Sequence, residues 1–130
     1  MEITLKNLQK KILLPKLRII KSAKAAFRKL DFVLDDLSIV FVGAKRMRSV
    51  NREYLKHDYV TDVLTFDLGE GMGEIIICPE VAVANAKVHR TTIDHEIILY
   101  VIHGILHLAG YDDHTAQDIL QMRRMEKELL

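Results

Sequence analysis

The stretch His103-Gly104-Ile105-Leu106-His107-Leu108-Ala109-Gly110-Tyr111-Asp112-Asp113-His114 decides how the rest of the chain is read. It continues an apolar run, Ile97, Ile98, Tyr100, Val101 and Ile102, that is hydrophobic nearly all round. A helix of that kind sits at the centre of a fold and is covered on most sides. His103 and His107 interrupt it four residues apart, which puts two imidazoles on one helical face. Buried imidazoles need polar partners, since an unpaired buried polar group costs on the order of 1–3 kcal/mol. Neighbouring backbone could supply them. Gly110, where the helix can stop in the left-handed conformation, and the Asp112, Asp113, His114 cluster directly after it favour another answer. Two nitrogen ligands fixed on a helix, a glycine turn and a third ligand just beyond are the parts of a three-ligand metal site with an open position. His57, His89 and His95 have no such neighbours and read as structural or surface residues.

Working outward, Thr91 or Thr92 can cap this helix, with Asp94 and Glu96 in the first turn where acids suit the dipole. Thr115 can cap a final helix to residue 130, with Ile119, Leu120, Met122, Met125 and Leu129 facing inward. Upstream, β-branched and apolar runs predict short strands at residues 3–7, 37–42, 63–66 and 74–78. Helical spacing predicts an amphipathic helix over 15–30 with a basic outer face. A second covers 44–55, with Met47, Val50, Tyr54 and Leu55 turned inward. A third opens at Pro79 and runs through Val81, Val83, Ala84 and Val88. Residues 68–73 hold three glycines but lack the lysine and hydroxyl of a phosphate-binding loop, so they read as a hairpin-like connection. The pattern predicts one α/β (α+β) domain over 1–130: a mixed sheet of about four strands, packed helices, and the metal site on the central helix.

A chain of 130 residues is long enough to hold a real core. No apolar run approaches the roughly 20 residues that span a bilayer. The start, Met1-Glu2-Ile3-Thr4-Leu5-Lys6, lacks the order of a signal peptide. Cys78 is alone, which excludes an internal disulfide and fits a cytoplasmic location. The net charge of +1 conceals an asymmetry. Residues 1–57 hold fourteen Lys/Arg against five Asp/Glu, whereas 58–130 hold five against thirteen. A basic half suits a polyanion such as nucleic acid, and an acidic half carrying the histidines suits a cation.

One absence bears on the reaction. Zinc peptidases with His-Glu-x-x-His place the general base immediately after the first histidine; here that position is Gly104. A metal with three protein ligands still lowers the pKa of bound water to about 7 and polarises a phosphoryl oxygen. Metal-assisted hydrolysis therefore stands while peptidase chemistry of the zincin type is weakened.

At these residues the sequence resembles the YbeY family of bacterial zinc-dependent single-strand endoribonucleases. Three segments carry the match: His103 through Asp113; Asn51-Arg52-Glu53-Tyr54 followed by Thr61-Asp62-Val63-Leu64-Thr65-Phe66; and Gly73-Glu74-Ile75-Ile76-Ile77-Cys78-Pro79-Glu80-Val81-Ala82. The resemblance implies an α/β fold with a zincin-like cleft, one zinc per chain, and cleavage of single-stranded RNA. It further implies a role in ribosomal RNA maturation, including the 16S 3′ end, with the small ribosomal subunit as partner. Two departures stand out. The family's usual third ligand is a histidine six residues after the second; that position is Asp113, with His114 one further. Without an insertion, Met122 and Glu126 fall where the family has Met and Glu, which favours Asp113 and leaves His114 as the alternate. Many members also carry an arginine where this chain has Leu55, so Arg48, Arg52 and Lys56 are the candidates to hold the RNA backbone. The readings to separate are an endoribonuclease, a zincin-type peptidase, and a ribosome assembly factor whose metal is structural.

Overall fold

The computed structural model describes all residues, 1–130, in the order β1 (Glu2–Asn7), α1 (Lys16–Leu30), β2 (Asp36–Phe41), α2 (Ala44–Leu55), β3 (Val63–Gly69), β4 (Met72–Ile77), α3 (Pro79–His89), α4 (Ile93–Leu108) and α5 (Ala116–Leu129). Four strands form one mixed sheet in the order β1-β2-β4-β3. β1, β2 and β4 run parallel, with Ile3 opposite Leu37 and Ile39 opposite Ile75. β3 reverses against β4 as an edge strand, with Leu64 opposite Ile76.

The near-continuous apolar runs of β2 and β4 follow from burial on both faces. Leu37, Ile39, Phe41, Ile75 and Ile77 join α1, α4 and α5 in the larger core. Val40, Leu64 and Ile76 turn the other way, onto Met47 of α2 and onto Cys78. α4 is the centre: it packs against α1, α3, α5, β3 and β4. Ile97, Val101, Ile102, Ile105 and Leu106 on it are fully buried, as an all-round apolar helix requires.

Its seat against the sheet depends on Gly104. A Cβ there would lie 2.7 Å from Ile75 Cδ1 and 2.9 Å from both Ile75 Cγ1 and Cγ2. The missing side chain is thus a packing requirement, and a glutamate at this position would have to enter the sheet.

Several inward-facing expectations need correction. On α2, Tyr54 and Leu55 are 63% and 45% exposed, while Asn51 is buried one turn from Met47. The last turn of α2 lies over the edge of the sheet, and Tyr54 meets Phe66 edge-on at 5.7 Å. On α3 the buried seam is Ala82 and Ala86, small residues that let α3 lie close to α4, and Val88 is exposed. On α5, Ile119 and Leu120 are exposed. The buried stripe there is Met122, Glu126 and Leu129, spaced i, i+4, i+7, and an acid occupies its middle.

Candidate metal centre

Thr92 caps α4 by accepting from the His95 amide at 3.0 Å, and Asp94 and Glu96 fill the first turn. Near the other end, His103 and His107 project together. Their rings stand 4.6 Å apart, edge to face, with the two Nε2 atoms 3.0 Å from each other. The helix then closes through Gly110, whose φ is 103°. The Gly110 N–H donates to the His107 carbonyl and the Tyr111 N–H to the Leu106 carbonyl, each at 3.0 Å. That pair of bonds is the Schellman closure, and its positive φ suits glycine.

The reversal carries the next residues back across the helix face. Asp113 Oδ2 comes to 3.4 Å from His107 Nε2 and 3.7 Å from His103 Nε2. Three donor atoms therefore form a triangle with edges of 3.0, 3.4 and 3.7 Å. Donors held about 2.0–2.1 Å from a tetrahedral zinc stand roughly 3.3 Å apart. The donor set and its spacing fit a small divalent metal. His114 lines the same cleft but adds no atom to this group.

Behind the triangle, Glu126 of α5 accepts a hydrogen bond from His103 Nδ1 at 2.8 Å. Burial pushes the Glu126 carboxyl up, but the hydrogen bonds and charges of His103 and Arg123 outweigh it and leave it below its ordinary value. An ionised carboxylate only accepts, so Nδ1 carries the proton of this bond and Nε2 is the ring nitrogen turned to the centre. Arg123 Nη1 donates to both Glu126 oxygens, at 2.9 and 3.3 Å.

The triangle borders a cleft with two arms. One, of about 480 Å³, runs between α3, α4 and α5 past Asn85, Glu96 and Tyr100. The other, of about 530 Å³, runs along β3 past Leu55, Thr61, Thr65 and Asp67. Asp62, Val63, His103 and Asp113 line both. Asp62 is set by its own backbone neighbour, the Val63 amide donating to Oδ1 at 2.7 Å. Asn51 steadies the approach to this wall by donating through Nδ2 to the Tyr59 carbonyl at 3.0 Å.

Arg48, Arg52 and Lys56 line neither arm. Arg48 donates twice to Asp58, at 2.8 and 3.2 Å, and Arg52 lies 3.8 Å from the same carboxylate. The hydrogen bond from Arg48 holds the Asp58 carboxyl below its usual range. Lys56 ends α2 in the left-handed conformation and has no acidic partner.

A family profile described as Endoribonuclease YbeY matches residues 3–130. The chain belongs to the YbeY family. It is 40% identical over 98 residues to an Endoribonuclease YbeY of Chlorobium luteolum, covering 73% of this chain and 72% of that protein. The YbeY of Thermotoga neapolitana is 47% identical over 92 residues, 70% of this chain and 61% of its own length. That of Elusimicrobium minutum is 38% identical, with 64% of each chain aligned. Among solved structures, the solution structure of TM1509 from Thermotoga maritima superposes with a TM-score of 0.67 at 28% identity, covering 99% of this chain and 89% of that one. The mixed sheet and the central helix described above are thus shared with a solved structure over nearly the whole chain.

Glu126 and Arg123 are the site residues that spacing alone did not select. A signal was present: an acid between Met122 and Leu129 on the inward stripe of an amphipathic helix must meet a donor when it is buried. Glu74, Asp62 and Tyr111 make no hydrogen bond to the two histidines; Tyr111 packs against the core.

Proposed function

We propose that this chain is a zinc-dependent endoribonuclease cleaving single-stranded RNA, with His103, His107 and Asp113 as the metal ligands. The observation that carries the reading is the triangle of two imidazole nitrogens and one carboxylate oxygen beside an open cleft, in a chain of the YbeY family. Nitrogen and oxygen donors in this number and spacing suit zinc. The bound metal supplies a water of pKa about 7 and a Lewis acid for a phosphoryl oxygen.

The protein's own share is positioning. Glu126 keeps the His103 ring in the tautomer that presents Nε2, and Gly104 lets α4 lie close enough to the sheet to hold both histidines rigid. Asp113 in place of a third histidine adds a negative charge, which strengthens the hold on a divalent cation. Arg48, Arg52 and Lys56 near the α2 end of the cleft, with the basic face of α1, are the proposed RNA-backbone contacts, giving salt-sensitive binding with little base readout. The same reading puts the protein in the cytoplasm, acting on ribosomal RNA of the small subunit at the 16S 3′ end. No helix is long and apolar enough to cross a membrane.

The two rival chemistries are less well supported. A peptidase base after His103 has no room against Ile75. A structural zinc is closed by four protein ligands, and His114 stays outside the donor group. The deciding experiment offers a single-stranded RNA, a duplex RNA and a peptide to the wild type and to His107→Ala. Cleavage confined to single-stranded RNA and lost in the variant supports the proposal; peptide cleavage, or RNA cleavage that survives the substitution, removes it.

A further inference from the structure

The arm of the cleft between α3, α4 and α5 carries a polar constellation that takes no part in holding the metal. Glu96, 1% exposed, accepts from His89 Nδ1 at 2.8 Å and from Thr91 Oγ1 at 3.0 Å. This anchors the His89 ring by one nitrogen, and Nε2 has no protein partner. Tyr100 is buried, and its hydroxyl accepts from Asn85 Nδ2 at 2.7 Å while its own proton meets no acceptor in the protein. Burial pushes the Tyr100 pKa up to about 12, so the group remains a donor.

Charge narrows what enters. Asp62, Glu96, Asp113 and Glu126 are the acids of this arm, and Arg123 is the only lysine or arginine lining either arm. Glu126 occupies only Nη1 of Arg123, so Nε and Nη2 remain free on a side chain that is 64% exposed. A phosphate is repelled along this wall except where the guanidinium meets it.

We propose that this arm seats one nucleotide next to the bond being cleaved, with Arg123 contacting its phosphate and the His89 ring and the Asn85–Tyr100 pair receiving its base. The proposal rests on the RNA reading of the metal centre. The arm's volume of about 480 Å³ lies within the roughly 300–1,000 Å³ of ordinary ligand pockets. An imidazole can stack on an unpaired base, and the hydroxyl and amide offer a donor and an acceptor to a base edge. A guanidinium matches a phosphate in charge and geometry.

The test measures binding of a fluorescent single-stranded 2′-O-methyl RNA to the zinc-loaded protein across a salt series, with metal content and cleavage of unmodified RNA followed in parallel. Arg123→Met weakens binding about ten-fold or more, the loss of one hydrogen bond to a charged group. It also flattens the slope of log affinity against log salt by about 0.7, the share of one single-strand phosphate contact. Arg123→Lys keeps the slope, since the charge remains. Tyr100→Phe raises KM for RNA several-fold at unchanged metal content and unchanged slope. If Arg123 serves only to steady Glu126, Arg123→Met lowers metal content and leaves the slope as it was, and the proposal is overturned. A wild type that cuts no single-stranded RNA removes the underlying reading; a wild type that cuts while the Arg123→Met slope is unchanged removes the nucleotide seat alone.

Discussion

Replacing Gly104 with alanine tests how tightly the metal-bearing helix is locked to the sheet. The new methyl would sit 2.7 Å from Ile75 Cδ1 and 2.9 Å from Cγ1 and Cγ2. Carbons in good contact stand about 3.5–4.0 Å apart, so each overlap approaches roughly 1 Å. Ile75 is fully buried, and its branched Cβ makes χ1 stiff, so the side chain cannot swing clear. Overpacking of this sort costs about 1–3 kcal/mol, against about 1 kcal/mol gained when alanine replaces glycine inside a helix. Three simultaneous overlaps, two of them on carbons attached to Cβ, place the cost at the upper end. The net expectation is a loss of about 1–2 kcal/mol, seen as a Tm lower by roughly 3–10 °C for a domain of this size. Ile75→Ala removes all three clashing atoms and alone costs about 2–5 kcal/mol through the cavity it leaves. Combined with Gly104→Ala it should cost at least about 1 kcal/mol less than the sum, because the clash is gone and the methyl fills part of the cavity. Urea unfolding of the two single variants and the double variant, at fixed zinc concentration, reads the cycle. Additivity within about 0.5 kcal/mol, or a Gly104→Ala protein at least as stable as the wild type, would refute the close lock.

Glu126→Gln keeps the size of the side chain but removes the charge that accepts from His103 Nδ1; competition with a chromophoric chelator should show zinc affinity lower by about 10–100-fold, and an unchanged affinity would deny Glu126 its supporting role. Thr115→Ala breaks the capping box in which the Asp118 amide donates to Thr115 Oγ1 at 3.0 Å and Asp118 Oδ2 accepts from the Thr115 amide at 3.3 Å. Thermal unfolding should report a loss of about 1 kcal/mol. Zinc content should stay the same, since the cap holds α5 and not the ligands.

The elements with strong periodicity were legible in the chain: all four strands and all five helices fall where the apolar spacing puts them. Pro79, Thr92 and Thr115 mark helix starts through their own chemistry, and Gly110 marks a stop. Which face of a short helix is buried was less legible. Hydrophobic residues at Tyr54, Leu120 and Val88 invite burial, yet each lies beyond the surface that its helix covers, a fact set by where neighbouring elements end. The same limit hid the burial of Asn51 and Glu96, which meet the Tyr59 carbonyl and the His89 and Thr91 side chains from the segments flanking their own helices, and hid the contact of Glu126 with His103, 23 residues away. The His103–His107 pair was legible because its spacing is local. Asp113 and His114 remained alternatives at the level of sequence, since the two differ only in the path of the loop after Gly110.

That loop is also where the central claim is tested most directly. Metal content of purified wild type, Asp113→Ala, His114→Ala and the His103→Ala/His107→Ala double variant, each paired with single-stranded RNA cleavage, measures the ligand set itself. About one zinc per chain, and cleavage, are expected in the wild type and in His114→Ala. Metal is expected to be diminished in Asp113→Ala, and both metal and cleavage absent in the double variant. Undiminished zinc in the double variant, or loss of zinc in His114→Ala with retention in Asp113→Ala, would contradict the claim.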